Sequence, residues 1–233
     1  LENNGVRLET DICGVIFEVF QGWASLLYPE GFMKAVESFC RTKKILLTMD
    51  EVQSGFARTG KKFGYEHYEV QADLLCCGKG IASGFPLSAV IGTAEIMDLP
   101  EVGNMSSTHS ANPFVCAAGM ATLEEIDRLN LVNETNRKGL IFHQKLNELK
   151  LKYSENISFV FGQGLLAALI FKLPNTNDPE THLPSIISEK AMQKGLLVVH
   201  TGRESIKLAP PLTISDEALV EGINVLDESI SEV

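Results

Sequence analysis

The sequence predicts an α/β fold: part of a mostly parallel sheet, followed by a smaller α/β domain. Three observations carry this reading. Two short aliphatic runs, Gly14–Phe20 and Lys44–Asp50, end in polar or acidic residues; a helical pattern separates them; and strand and helix patterns alternate again toward the C-terminus.

Taken in order, the two runs have the near-continuous apolar character of strands buried on both faces, with chemistry at their C-terminal ends. Between them, Pro29-Glu30-Gly31 opens a helix over Phe32–Cys40, in which Phe32, Val36, Phe39 and Cys40 recur at helical spacing. Strand, helix, strand predicts a parallel βαβ unit. Asp73–Cys77 and Ser88–Ile91 read as further short strands on either side of Gly78-Lys79-Gly80. After Asn112-Pro113 a long helix runs over Phe114–Leu129. A second, over Thr135–Lys150, places Phe142, Leu146 and Leu149 on one face. Beyond it, Phe159–Phe161, Leu165–Phe171, Leu196–His200 and Ser205–Leu208 read as strands, with helices over Leu183–Lys194 and Asp216–Ile230. The smaller domain is therefore expected over residues 136–233, and residues 1–135 form the larger one.

Composition narrows the function. The chain has 233 residues, 45% of them hydrophobic, enough for a sizeable core. A net charge of −10 with scattered lysines and arginines argues against nucleic acid as a partner. The longest apolar stretch, Leu165–Phe171, is too short to span a bilayer. Five cysteines without a Cys-x-x-Cys spacing fit reduced thiols, and with no signal peptide visible a cytoplasmic protein is expected. The five histidines show no metal-ligand spacing, so no metal is expected. Gly55–Lys61 approaches a phosphate-binding P-loop but has Lys62 where the hydroxyl should stand, so a nucleotide site is not expected and the segment reads as a surface loop.

The chemistry lies in three segments: Asp50-Glu51-Val52-Gln53 after a strand, Gly78-Lys79-Gly80 after the next, and Ser106-Ser107-Thr108 ahead of a helix. An acid, a lysine between glycines and a hydroxyl cluster are what pyridoxal 5'-phosphate requires. The amine condenses with its aldehyde and later moves protons. Glycines let the backbone approach without side-chain clash. A carboxylate keeps the ring nitrogen protonated, and hydroxyls suit the phosphate. Singly, each has a plainer reading: a solvated loop lysine, a turn carboxylate, or a helix-capping Thr108.

Leu46–Gly60 resembles the signature of the class III (ornithine, 4-aminobutyrate and acetylornithine type) aminotransferases. The likeness continues through Phe63–His67, Gln71-Ala72-Asp73, Gly78-Lys79-Gly80 and Gly84-Phe85-Pro86-Leu87. It resumes at Thr108, Asn112-Pro113, Gly162-Gln163-Gly164-Leu165 and Ala209-Pro210-Pro211-Leu212-Thr213. The resemblance implies the pyridoxal-phosphate transferase fold of type I, and an enzyme moving an amino group between an amino acid or amine donor and a 2-oxo acid by a ping-pong mechanism. Lys79 matches the cofactor-bonding lysine and Asp50 the partner of the ring nitrogen. Val52 matches the residue packing on the ring, and Gln53 the amide bonding the ring hydroxyl. Thr108 matches a phosphate ligand donated by the neighbouring subunit, which implies a homodimer with shared sites. Glu18 matches a glutamate on the substrate side. Racemisation, intramolecular amino transfer and elimination share these residues and stay open, as does a non-catalytic fragment.

The sequence departs from the family pattern at Val19, at Trp23-Ala24-Ser25, and at Lys207, which stands where many members carry an arginine that clamps the substrate carboxylate. A lysine cannot form a bidentate fork, so altered carboxylate recognition is expected, with Arg203 as a candidate substitute. Family members also carry roughly as much chain again before the first strand. This sequence, which begins at Leu1, is therefore expected to be a C-terminal portion that is poorly soluble or inactive by itself.

Overall fold

A computed structural model describes residues 2–233. In chain order it contains α1 (Leu8–Asp11), β1 (Gly14–Glu18), β2 (Phe20–Gln21), β3 (Leu26–Leu27), α2 (Phe32–Lys43), β4 (Leu46–Asp50), β5 (Leu74–Cys77), β6 (Ala89–Gly92), α3 (Ala94–Met97), α4 (Pro113–Arg128) and α5 (Leu131–Lys152). There follow β7 (Ile157–Gln163), β8 (Leu166–Phe171), α6 (Leu183–Gln193), β9 (Val199–His200), β10 (Ser205–Leu208) and α7 (Asp216–Ser231). The chain divides into two compact units. One comprises residues 1–19, 28–56 and 61–129, the other residues 20–27, 57–60 and 130–233.

The first unit is built on a four-stranded sheet in the order β1-β4-β5-β6. The first three strands are parallel and β6 is antiparallel to β5. In β4, Leu47 and Met49 are fully buried while Leu46, Thr48 and Asp50 are half-buried, as befits a strand covered on both faces. Of the residues expected on its apolar face, the crossover helix α2 buries Cys40, together with Met33, and half-buries Val36, while Phe32 and Phe39 are exposed. Phe32 instead stacks on Tyr28 at 5.1 Å, and that ring also meets Phe17 edge-on at 6.0 Å. Lys44, with φ of 56°, ends the helix; the next amide, of Ile45, then donates to the Cys40 carbonyl at 2.9 Å. Arg41 Nη1 reaches Asp73 at 2.6 Å, and Asp73 also accepts from the Leu47 amide at 2.7 Å.

The second unit holds an antiparallel sheet in the order β7-β8-β10-β9 and the β2–β3 ribbon. All six residues of β8 are buried. Ala167, Leu169 and Phe171 share a core with Phe142, Leu146 and Leu149 of α5, Ile187 of α6, and Leu219, Ile223 and Leu226 of α7. Ala168 and Ile170 pack instead with Trp23, Ala24 and Leu26 of the ribbon. Alternation along one strand thus serves two layers. The strand expected over Leu196–His200 shortens to β9, because Gly195 (φ 90°) turns the chain out of α6 and pairing with β10 begins at Val199.

The segment expected to be a surface loop is buried. Phe56, Ala57, Thr59 and Gly60 are all covered, and the Arg58 guanidinium donates to the carbonyls of Leu165 (2.8 Å) and Pro210 (2.5 Å). Burial lowers the Arg58 pKa to about 10. Among the described residues, no helix is long and apolar enough to cross a membrane, no group of metal-ligating side chains occurs, and the cysteines are unpaired.

Candidate active site

Three parallel strands end along one edge of the first sheet, and their carboxyl ends are where ligands bind in such sheets. The register pairs Glu18 with Asp50 and Asp50 with Cys76, so these residues stand abreast. Two residues past Cys77 comes Lys79, which is exposed and holds a left-handed φ of 41°. A non-glycine residue seldom adopts that conformation, and it costs about 1–2 kcal/mol.

The glycines around Lys79 lie at contact distance from the segment that follows Asp50, without a clash that would by itself demand glycine. A Cβ on Gly78 would meet Val52 Cγ1 at 3.4 Å, and one on Gly80 would meet Phe56 Cβ at 3.4 Å. The lysine turn therefore lies against the segment that follows Asp50. That segment is itself fastened: Asp50 Oδ1 accepts from the Val52 amide at 2.9 Å, and the Glu51 amide donates to the Cys76 carbonyl at 2.9 Å.

Glu51, which sequence reading passed over, is completely buried. Its carboxylate accepts from the Ser54 hydroxyl, from the Gly64 amide at 2.9 Å and from the Tyr65 amide at 2.7 Å. Burial raises its pKa, against the lowering effect of those three donors. The neighbouring thiols are protonated groups rather than nucleophiles: burial, then the charges of Glu51, Cys76 and Asp50, push Cys77 up to about 11.

Gln53 is half-buried beside this segment. Thr108 sits in an exposed turn and makes no hydrogen bond among the described residues; Asn112, not Thr108, caps α4, accepting from the Phe114 amide at 3.0 Å. In the second unit, Lys207 Nζ donates to the Gly22 carbonyl at 3.0 Å, and the Arg203 guanidinium lies 4.0 Å from the centre of the Trp23 ring. Lys207 also borders a cavity of about 260 Å³; its other lining residues are apolar or glycine, so this cavity offers no further titratable group for chemistry.

An amine and a carboxylate at one strand edge, with a branched apolar side chain against the lysine turn, fit the needs of pyridoxal phosphate. The profile of "Aminotransferase class-III" matches residues 1–230. A 4-aminobutyrate aminotransferase of Mycobacterium leprae is 36% identical over 225 residues, 95% of this chain and 50% of that protein. An acetylornithine aminotransferase of Caldanaerobacter subterraneus is 32% identical, over 97% of this chain and 55% of that protein. The crystal structure of an S-selective transaminase from Arthrobacter superposes with a TM-score of 0.90 at 30% identity, over 99% of this chain and 52% of that one.

This chain belongs to the class-III aminotransferases. Its fold is that of the family, whose members depend on pyridoxal phosphate. As a class-III chain it spans about half the length of the curated relatives it matches. The structure brings Glu18, Asp50, Val52 and the Lys79 turn to one edge, and Lys207 and Arg203 to the 22–23 segment of the ribbon. For Glu51 the sequence held a faint signal, an acid directly after a buried strand, with nothing to name its partners.

Proposed function

We propose that this chain forms the lysine-bearing part of a pyridoxal-phosphate-dependent aminotransferase. The observation that carries the reading is the placement of the Lys79 turn against Val52, beside Asp50, at the ends of parallel strands. The cofactor supplies an electron sink and a temporary store for the amino group. Lys79 would hold it through its Nζ and, once displaced by an amino donor, move a proton at the substrate's α-carbon. Asp50 would keep a proton on the ring nitrogen, Val52 would pack on the ring, and Gln53 would bond its hydroxyl. Thr108 would serve the phosphate of a neighbouring copy, which makes the active form a homodimer. Residues 1–135 would be the C-terminal portion of the large domain, residues 136–233 the small domain, and the compartment the cytoplasm.

Relatives named for 4-aminobutyrate, acetylornithine and ornithine point to donors with a terminal amine and a carboxylate. Glu18, Lys207 and Arg203 are the proposed substrate-side groups. Lys207 would offer the carboxylate a point charge, with Arg203 held on Trp23 rather than projecting as a fork.

The deciding experiment titrates the purified protein with pyridoxal phosphate and then adds borohydride. A visible band that bleaches, with the label mapped to Lys79 and lost in Lys79→Ala, is the expected result. Equal labelling of wild type and Lys79→Ala would overturn the reading. Half-reactions with a panel of amino donors then rank the substrates, and a Lys207→Ala variant with unchanged KM for amino and oxo acids would remove Lys207 from the site.

A further inference from the structure

We propose that Glu51 is a positioning residue for the Asp50–Val52 segment, and through it for the ring that Asp50 and Lys79 would hold. This rests on the reading above. A carboxylate taken wholly out of water is expensive unless donors converge on it. Here three do, from two separate segments, and each of them is neutral. A buried group of that kind, directly after Asp50, ties the end of β4 to the turn at Gly64-Tyr65. Gly64 is what allows the approach: a Cβ there would lie 2.7 Å from Ser54 Cβ and 2.8 Å from Val19 Cγ1. The Glu51 amide is meanwhile bonded to Cys76, so the residue between Asp50 and Val52 is fixed by both backbone and side chain. Asp50 Oδ1 then receives the Val52 amide, and Val52 lies against Gly78, the residue before Lys79. The contacts are contiguous from the buried acid to the lysine turn.

Both carboxylate oxygens act as acceptors, Oε1 from Tyr65 and Oε2 from Gly64 and Ser54. Glutamine keeps the shape but sets an amide nitrogen, which cannot accept, against a backbone N–H. The test compares the full-length protein with its Glu51→Gln and Ser54→Ala variants, reading the dissociation constant for pyridoxal phosphate, the visible circular dichroism of the bound cofactor, and the Tm. Met33→Ala, a core truncation under α2, serves as a control for lost stability alone. Glu51→Gln is expected to weaken cofactor binding about 10-fold and Ser54→Ala about 3-fold, each with a smaller visible dichroism. Met33→Ala should lower Tm while leaving both cofactor readouts as in wild type.

Wild-type affinity and dichroism in Glu51→Gln would overturn the inference while leaving the role of Lys79 intact. So would a loss in Met33→Ala that matched Glu51→Gln. Should Glu51→Gln fail to fold, Ser54→Ala decides: an unchanged dissociation constant overturns the proposal. If wild type itself shows no band that depends on Lys79, the underlying reading fails, and this inference with it.

Discussion

Gly164 shows what a single missing methyl group permits. It holds φ of 60°, and a Cβ there would stand 2.6 Å from the Thr59 carbonyl carbon and 2.8 Å from Thr135 Cγ2. Gly164→Ala is therefore expected to destabilise the protein by about 2–4 kcal/mol, read as a lower denaturant midpoint. Its carbonyl meets His143 Nε2 at 3.1 Å, and burial holds the His143 pKa below its usual value. A histidine depressed in the fold binds protons more readily when unfolded. Its contribution is therefore complete above the unfolded pKa of about 6.5 and is lost as pH falls toward the folded value. Wild type should lose stability faster than His143→Gln between neutral pH and pH of about 5; parallel curves would exclude His143 as the cause. That Lys79 and Asp50 stand near strand ends could be read from the sequence, because an apolar run precedes each. The amide donors to Glu51 could not, since Gly64 and Tyr65 lie 13 and 14 residues away along the chain.

At the scale of elements, periodicity located most strands and helices, but not always the face that each presents. Phe32, Phe39 and Cys40 have the right spacing for a buried stripe, yet of these α2 buries Cys40 alone, together with Met33, and Phe32 packs on the Tyr28 ring instead. A tertiary aromatic contact of this kind leaves no local trace. The same holds for the segment around Arg58, whose glycines and charges look like those of a loop while its guanidinium fastens carbonyls at Leu165 and Pro210. Arg58→Ala should cost about 3 kcal/mol, measured by chemical denaturation, since both carbonyls lose a charged donor. Asn112→Ala removes the side chain that accepts from the first amides of α4 and should cost about 1 kcal/mol on the same measurement.

For the whole molecule, the alternation of strands and helices predicted a mixed α/β architecture, and the sheet orders give it concrete form. What could not be read was the mixing of chain segments, with residues 20–27 and 57–60 counted with the second unit. Phe114 and Met120 of α4 are exposed, and Phe114 touches exposed Phe85 at 5.6 Å, an apolar surface that suits the proposed homodimer. Complementation would test the shared site. Mixing Lys79→Ala protein with Thr108→Val protein, each weakly active or inactive, should restore activity through hybrid dimers that hold one intact site. No gain on mixing would mean that Thr108 does not serve its neighbour.

The β2–β3 ribbon also sets an order of events during synthesis. Trp23, Ala24 and Leu26 leave the ribosome about 140 residues before Ala168 and Ile170, the side chains they finally cover. At ordinary translation speeds the ribbon waits on the order of ten seconds for its partner strand. Through that interval its apolar residues lack the strand that covers them in the fold, which leaves this short stretch open to misassembly.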